Sequence, residues 1–595
     1  MAGTVIVIGG GVGGLTTAHE LAERGYTVHV YESRSAWGGK ARSQPVPGSG
    51  TGSRRDLPGE HGFRFYPRFY THVIDTMKRI PSPVGGWVFD HLRSTTESAI
   101  ALVDRGTFYR FYRRKVIKPF EVLAALELFF QELDFDDQDI GLFAAKILEF
   151  LTASDERRLG EYERMSWWDF LEGDLYSPNF QRQLRAVPRT MVAMDPKRGS
   201  ARTVGGISMQ LILDYADTGV NNDRTMGGPT SEMWIDPWVA QLTSLGVAFH
   251  SGLSATTIDV AAGKISGIQL SDGTTVTGDH YVLAVPIDTV IGLITPAMGA
   301  LDPQLERLRL ANPNDLVSWM VGIQYFLYED VPIVRGHTFF PDSPWALTAI
   351  SQPQFWRDLG IFRTRYGAGD VGGLISIDVS DWDTPGMFVN KTAKQCTPSE
   401  IAQEVWGQLK AALNGTEPGE ETLTDAMLHS WHLDADLDYS SGVPPANHSR
   451  LLVHPPGSYD VRPEAASLIP NLVFAADYVR TATDLASMEG ASEAARKAAN
   501  AVLDRDGSTA TRAQLWPLIE PRQFRHAKRL DRWLYRNGKP HAFEILGLRN
   551  AARAANWLRR LERAAGFAHV DDWLDKNVRL SRIARGILSF LGLGA

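Results

Sequence analysis

This chain has almost no cysteine and no long apolar run, and each absence excludes a class of protein. Its one cysteine, Cys396, excludes an internal disulfide and suits a reducing cytoplasm. No apolar stretch reaches the roughly 18 residues that a transmembrane helix requires, and the N-terminus has no basic region typical of a secretion signal. Zinc-ligand spacing, a Walker loop and a nucleophile elbow are also missing. We therefore expect a cytoplasmic protein without a membrane span, a disulfide or a metal centre.

What remains is the composition of a large globular protein. The chain has 595 residues, of which 44% are hydrophobic and 22% are charged. This length predicts more than one domain. The sequence has no internal repeats, so the domains have to be located from motifs.

The first 32 residues follow the order strand, glycine turn, helix, strand. Residues 4–8 are a β-branched run, and an apolar period of 3.6 residues begins at Leu15. Glycines between them permit a tight bend, a close approach of pyrophosphate to the backbone, and close packing of helix on strand. Glu32 ends the second strand, where a carboxylate bonds ribose hydroxyls. The turn consists of Gly9, Gly10, Gly11, Val12, Gly13 and Gly14. The pattern predicts an α/β protein with a Rossmann-type dinucleotide site.

A second glycine cluster follows soon after the second strand. Gly38 and Gly39 precede two cations, Lys40 and Arg42. Flexible backbone beside cations suits a phosphate group, although an ordinary glycine turn with solvated basic residues has the same appearance. The Rossmann unit alone leaves NAD and FAD open.

Taken together, the motifs resemble those of the flavin amine oxidase and phytoene desaturase superfamily. The early match is an extended FAD fingerprint that includes Arg34 and Ser43. The late match is a strand from Leu472 into Asp477 and a final helix that opens with the Met488 to Ala491 sequence MEGA. Between them, a middle match comprises GGP at 227–229, WIDP at 234–237, GVAFH at 246–250, and the strands predicted at 264–270 and 281–286.

The resemblance implies FAD in a discontinuous, glutathione-reductase-like domain, and the distance of Cys396 from the closing motif in the sequence favours noncovalent binding. That domain would comprise residues 1–80, 226–292 and 440–506, with a mixed α+β substrate domain inserted at 81–225 and 293–439. The residues implied to bind FAD are Gly9, Gly11, Val12, Gly13, Gly14, Glu32, Ser33, Arg34, Gly38, Gly39, Lys40, Ala41, Arg42, Ala255, Ala284, Asp477, Met488, Glu489 and Ala491.

Finer features resemble the carotenoid desaturase and hydroxysqualene dehydroxylase branch. They are GEHGFRFYPRFY at 59–70, SWHLD at 430–434, and the stretch at 462–491. This branch implies a lipophilic polyprenoid substrate, hydride transfer to or from flavin N5 in a desaturation or a reductive dehydroxylation, and an acceptor that is O2 or a quinone. Amine oxidases of the superfamily commonly place an aromatic residue just before the MEGA element, where this chain has Ala486 and Ser487.

Three acid/base candidates follow the second glycine cluster: Glu60, His61 and Arg64. Purely structural roles remain open for each of them, such as pairing with a carboxylate or orienting backbone. Two other functions also remain open: oxidation of a small polar amine, and FAD-containing lipid isomerase, hydratase or cyclase chemistry without net redox.

The region 507–595 is expected to be a basic, helical tail. Residues 509–595 contain 17 Lys and Arg against 7 Asp and Glu, a net charge of +10 in a chain whose total is −8. The cations flank apolar residues around Trp533 and at 580–591, which suits either helices docked on the body or peripheral contact with the inner face of a membrane. No nucleic-acid recognition fold accompanies the charge. The apolar segment 119–130 predicts a core helix or the mouth of a lipophilic tunnel.

Overall fold

The computed structural model describes residues 3–553 except 105, 113–136, 193, 217–222, 415–420 and 548. The apolar segment 119–130 and the apolar face at 580–591 therefore lie outside the described residues. Within them, no helix is both long enough and apolar enough to cross a bilayer.

The N-terminal motif forms the centre of a five-stranded parallel sheet. In spatial order the strands are Ala248–Ser251, Thr27–Glu32, Thr4–Ile8, His280–Leu283 and Leu472–Phe474. Buried β-branched and apolar side chains fill the central strands, as expected for a parallel sheet covered on its faces. Two helices, Val12–Ala22 and Met488–Arg505, pack together over this sheet. All five strands come from the segments that the resemblance assigns to FAD binding.

A second, seven-stranded mixed sheet comes from the two inserted segments. Its spatial order is Leu428–Leu433, Val321–Leu327, Gly373–Val379, Leu347–Ser351, Gly336–Phe339, Glu97–Leu102 and Thr107–Tyr112. The strands at 321–327 and 373–379 are buried along their whole length. The helix Pro398–Leu413 packs its apolar residues into the core of this sheet.

A group of helices has an apolar core of its own. It contains Asp137–Thr152, Asp155–Gly160, Trp167–Leu171, Pro178–Val192 and Ala201–Ala216. The other described helices of four or more residues in α conformation are His72–Met77, Asp236–Ser244, Ile287–Leu293, Pro296–Leu301, Pro303–Arg309, Phe362–Arg365, Ser458–Val461, Arg525–Arg536 and Ala542–Leu546.

The smaller strands complete the architecture. Ala255–Ala261, Lys264–Leu270 and Thr275–Val276 form a three-stranded sheet, as do Phe65–Tyr66, Arg224–Met226 and Leu92–Ser94. Ser43–Pro45 pairs with Pro58–Glu60, Val317–Ser318 with Leu451–Leu452, and Leu437–Asp438 with Ala446–Asn447. The Gly- and Pro-rich stretch at 46–57 is therefore the tip of a hairpin.

The described part of the tail is docked on the helical group. Asp531, on the inner face of the helix Arg525–Arg536, is 2% exposed and accepts hydrogen bonds from the Ser154 backbone N–H at 2.7 Å and from Arg157 Nε at 2.8 Å. Trp533 on the outer face is 54% exposed. The tail helix thus has one buried face and one exposed face.

Candidate functional site

A cavity of about 700 Å3 lies between the two large sheets. One side of it, which we call the glycine wall, consists of Gly9, Gly11, Val12, Gly13, Glu32, Ser33, Arg34, Gly38, Gly39, Lys40, Ala41, Ala255, Ala284, Ala475, Asp477, Met488 and Ala491. The other side, which we call the sheet wall, consists of His61, Gly62, Phe63, Arg64, Phe65, Phe69, Tyr70, Met320, His337, Thr348 and Asp378. The glycine wall lies at the carboxyl ends of the parallel strands, where open α/β sheets bind ligands.

The first glycine turn is shaped by one backbone conformation that favours glycine and by two close backbone contacts. Gly9 has φ +108°, a conformation that disfavours any side chain. A Cβ on Gly13 would lie 1.8 Å from the Ala475 carbonyl oxygen, and a Cβ on Gly14 would lie 1.9 Å from that of Gly9. Gly14 therefore does not line the cavity; it lets the first helix pack on the first strand.

Gly11 differs from its neighbours because it faces open space. A Cβ there would meet nothing nearer than the Gly39 Cα, 3.8 Å away. Its φ of −78° is one that any residue adopts. Nothing within the protein therefore requires glycine at this position, and the absent side chain leaves room for a ligand to approach the backbone.

The second glycine turn lies directly against the first. The Gly38 N–H donates to the Gly10 carbonyl at 2.8 Å, and Gly38 and Gly39 have φ of +100° and +59°. Arg42 supports this turn from behind: its Nη1 donates to the Gly39 carbonyl at 2.6 Å and its Nη2 to Asp436 at 2.7 Å. Arg42 does not line the cavity, because its guanidinium is used in these two contacts.

Glu32 is anchored at the cavity edge by its own loop. Its Oε2 accepts from the Gly10 N–H at 2.8 Å, and its Oε1 accepts from Ser33 Oγ at 3.0 Å and the Arg34 N–H at 2.9 Å. A carboxylate oxygen has two lone pairs, so Oε2, which accepts one hydrogen bond, has a further lone pair. Glu32 therefore holds the first turn and still presents acceptor capacity to the cavity.

Lys40 and Asp477 place opposite charges on the glycine wall. Both are partly buried. Burial lowers the pKa of Lys40 and raises that of Asp477, while each charge partly offsets the shift of the other. Lys40 Nζ also donates to the Arg450 carbonyl. Two partly buried groups of opposite charge that face one cavity indicate a polar or charged ligand.

The closing helix Met488–Arg505 points its N-terminus at the cavity. Ser487 caps it by accepting from the Gly490 N–H at 3.0 Å, and the Ala491 N–H donates to the Ser487 carbonyl at 3.0 Å. Two of the four amides at 488–491 are therefore used within the helix. The Met488 and Glu489 amides have no carbonyl four residues earlier in the helix and remain available to a ligand.

The side chain of Glu489 turns away from the cavity. Its Oε1 accepts from the backbone N–H groups of Thr71 and His72 at 2.7 and 2.8 Å and from His72 Nδ1 at 2.7 Å, and its Oε2 accepts from the Val73 N–H at 3.0 Å. This carboxylate caps the helix His72–Met77. Any cofactor contact by Glu489 is restricted to its backbone.

Glu60 does not line the cavity; its buried carboxylate connects two segments that are distant in the chain. It is 1% exposed, and its carboxylate accepts from Ser43 Oγ at 2.8 Å, the Thr230 N–H at 2.8 Å and Thr230 Oγ1 at 2.6 Å. Burial raises its pKa, and Arg64 opposes that shift. Glu60 thereby ties the hairpin at 43–60 to the segment that carries the middle motif.

His61 and Arg64 do line the cavity. His61 Nδ1 is hydrogen-bonded to Asp434, which also accepts from Gln44 Nε2 at 2.6 Å. Contact with His61 lowers the pKa of Asp434 to about 2 against the opposing effect of burial. Arg64 Nη2 donates to the Lys40 carbonyl at 2.7 Å and lies 3.7 Å from Glu60. Arg64 thus connects the sheet wall to the glycine wall.

Asp378 is a lining residue that the sequence motifs do not indicate. It lies on the strand Gly373–Val379, and burial raises the pKa of its carboxyl to about 7, with Arg64 lowering and Asp434 raising it further. Its Oδ1 is buried without a hydrogen-bond partner. The available signal was a carboxylate inside the apolar run LISIDV, since buried acids are rare in such strands.

Within the described residues, one side-chain group has the spacing of a metal site. Single ligand atoms of His61, Asp434 and Asp436 lie within 4.8 Å of one another. Asp436, however, already contacts Arg42 at 2.7 Å and Arg34 at 3.3 Å. Two guanidinium groups offset the negative charge that a cation would need, so we assign no metal to this group.

Comparison with known proteins decides the family. A model of the flavin containing amine oxidoreductases matches residues 12–503. The chain belongs to this family. The glycine wall therefore belongs to a flavin-dependent oxidoreductase, and its open Gly11 and its partly buried Lys40 and Asp477 fit the phosphates and polar groups of a flavin nucleotide.

Individual relatives of this flavin-dependent oxidoreductase are distant. Hydroxysqualene dehydroxylase of Rhodopseudomonas palustris is 25% identical over 293 residues, which is 48% of this chain and 62% of that protein. Cyclohexylamine oxidase of Brevibacterium oxydans superposes with a TM-score of 0.55 at 14% identity, covering 85% of this chain and 100% of that one. Putrescine oxidase bound to putrescine gives a TM-score of 0.55 at 14% identity, with coverage of 85% and 99%. The two oxidases show a shared α/β fold.

Proposed function

We propose that this flavin-dependent oxidoreductase binds FAD and acts on a lipophilic, polyprenoid-type substrate by desaturation or reductive dehydroxylation. The observation that carries the proposal is the composition of the sheet wall. Phe63, Phe65, Phe69 and Met320 present apolar surface to the cavity, beside the polar side chains of the same wall: His61, Arg64, Tyr70, His337, Thr348 and Asp378. Each Å2 of apolar substrate buried there contributes roughly 25 cal/mol.

The glycine wall supports FAD as the cofactor. Two contacting glycine turns provide backbone for a pyrophosphate, and Glu32 provides acceptors for ribose hydroxyls. FAD would supply hydride exchange with a substrate carbon at its N5 position. The Met488 and Glu489 amides at the N-terminus of the closing helix would stabilise negative charge near N1. Cys396 lies buried in the core of the seven-stranded sheet and does not line the cavity, which favours noncovalent binding.

A small amine is a poorer match to these walls. Ala486 and Ser487 line the cavity at the position where amine oxidases of the family commonly have an aromatic residue. Arg64 places a permanent cation on the sheet wall, which disfavours a substrate ammonium. A polyprenoid demands neither an aromatic cage nor a fixed anion.

The direct test uses protein loaded with FAD under anaerobic conditions. We expect a lipid extract to bleach the oxidised flavin absorbance, or to restore it in pre-reduced protein, while cyclohexylamine and putrescine do neither. Bleaching by an amine alone would contradict the proposal. An altered lipid with an unchanged flavin would point to isomerase, hydratase or cyclase chemistry. Repeating the reaction with O2 and with a soluble quinone identifies the acceptor.

We also propose that the exposed face of the tail helix rests on the inner face of an anionic membrane, from which the substrate is taken. Leu530 and Trp533 are 37% and 54% exposed beside Arg529, and Trp suits the membrane interface. Flotation with liposomes that contain anionic lipid tests this. We expect Trp533→Glu to reduce flotation, whereas Leu310→Glu, at a 68% exposed residue outside the tail, should not. Equal flotation of the two variants would contradict it.

A further inference from the structure

Asp378 differs from the other buried carboxyl groups around the cavity because one of its oxygens has no hydrogen-bond partner. Asp434, Glu60 and Glu489 each accept several hydrogen bonds from neighbouring groups. Asp378 is 7% exposed, and its Oδ1 is buried without a partner. A buried acceptor left without a partner costs about 1–3 kcal/mol, so such a group in a cavity indicates a functional role.

The position of Asp378 is determined by the sheet and by one glycine. Its strand register places it between Gly322 and Thr348 on the two neighbouring strands. A Cβ on Gly62 would lie 2.5 Å from Asp378 Oδ1. The missing side chain at Gly62 therefore leaves the space that the carboxyl group occupies, and Gly62 lies on the same cavity wall.

We propose that Asp378 is the proton donor to a hydroxyl group on the lipophilic substrate, which assigns the substrate to the polyprenoid alcohols. This inference rests on the proposed function. In the step, the Asp378 proton goes to the substrate oxygen, the C–O bond breaks and water leaves. The carbon gains a hydride whose two electrons come from the reduced flavin, the reductant of the proposed function. Asp378 is left as a carboxylate and regains a proton from solvent.

The charged and titratable groups around Asp378 suit this role. Arg64 and Asp434 act on the Asp378 carboxyl directly, and His61 and His337 line the same cavity. Behind them, Glu60 lies 3.7 Å from Arg64, and His432 packs against Gly59. Burial keeps the carboxyl protonated up to about neutral pH, since its pKa is raised to about 7. Arg64 favours the ionised form and so stabilises the carboxylate that remains after proton transfer.

The variant Asp378→Asn separates proton donation from binding. Asparagine is nearly isosteric and can still donate a hydrogen bond to a hydroxyl group, but it cannot release a proton. We expect the Kd for hydroxysqualene in detergent micelles to change less than about threefold, while its turnover by pre-reduced, FAD-loaded protein falls on the order of 10²-fold or more. Asp378→Glu should recover part of the rate. Asp383→Asn, at an exposed carboxylate whose side chain is 76% accessible, is the matched control and should behave as wild type.

Two readouts do not depend on turnover. The infrared difference spectrum of wild type minus Asp378→Asn, both cofactor-free, should contain a protonated carboxyl band that titrates near pH 7. Other buried carboxyls, such as Glu149, whose pKa is also raised to about 7, cancel in this difference, and wild type minus Asp383→Asn should lack the band. In the wild type, the single-turnover rate should fall as the pH rises above 7, because the acid loses its proton. Turnover of hydroxysqualene by Asp378→Asn within threefold of wild type would overturn the inference.

The failures of the two proposals are distinguishable. If wild-type protein loaded with FAD reacts with squalene and not with hydroxysqualene, the polyprenoid function stands and the role of Asp378 fails. If cyclohexylamine binds to wild type and is lost in Asp378→Asn, the carboxylate is the counter-ion of an ammonium group and both proposals fail.

Discussion

The glycine wall and the sheet wall of the cavity differ in which atoms carry their chemistry. On the glycine wall the backbone forms much of the surface that faces the cavity, and a Cβ on Gly13 would lie 1.8 Å from a carbonyl oxygen. On the sheet wall, side chains from distant segments lie together: sheet register places Asp378 opposite Thr348, and its carboxyl packs against Gly62, which follows the strand Pro58–Glu60. Backbone sites are encoded in short runs of glycine, whereas side-chain sites depend on how remote strands pair.

The largest effects should come from adding one methyl group to the glycine wall. We expect Gly13→Ala to lose both stability and flavin binding, because its Cβ overlaps the last parallel strand. Gly11→Ala should keep the wild-type thermal midpoint without cofactor, since its Cβ meets only Gly39 at 3.8 Å. Its flavin affinity should fall on the order of 10²-fold, about 2.7 kcal/mol. Thermal unfolding of cofactor-free protein and FAD titration measure these effects, and a Gly11→Ala variant with wild-type affinity would contradict the assignment.

A smaller effect is expected at Asp434 behind the sheet wall. The variant Asp434→Asn replaces one of the two oxygens that accept from His61 and Gln44 with a donor, which should cost about 2 kcal/mol at pH 7. The folded-state pKa is lowered to about 2, so this stabilisation is present above the unfolded pKa of about 3.9 and is lost as the pH falls towards 2. Denaturant unfolding of Asp434→Asn at pH 7 and pH 3 should show the difference shrinking. A constant difference would show that the charge is not responsible.

Asp378 should have the opposite dependence on pH. Its folded pKa of about 7 exceeds the unfolded value of about 3.9, so the folded protein binds more protons between these values and loses stability as the pH rises. Wild type should therefore lose about 2–3 kcal/mol through this group between pH 5 and pH 8. Asp378→Asn should lack this loss and unfold at higher denaturant than wild type at pH 8. Parallel pH profiles of the two proteins would mean that the carboxyl is ionised in the fold.

The parts of the site that could be predicted from sequence are those with local signals. The first strand begins and ends at the predicted residues, the closing helix begins at Met488, and the five-stranded sheet takes its strands from the expected segments. Glu60, Glu489 and Arg42 could not be assigned from sequence, because their partners, such as Thr230 and Thr71, are distant in the chain. For Asp378, the surrounding residues LISIDV are typical of a buried strand, but the sequence does not show that this strand borders a cavity.

The most direct test of the account is a crystal structure of the protein grown with FAD and hydroxysqualene. The account predicts a flavin whose pyrophosphate lies over Gly11 and whose ring lies between the two walls, with the lipid hydroxyl within hydrogen-bond distance of Asp378. A flavin or lipid bound elsewhere, or an Asp378 carboxyl turned away from both, would contradict it.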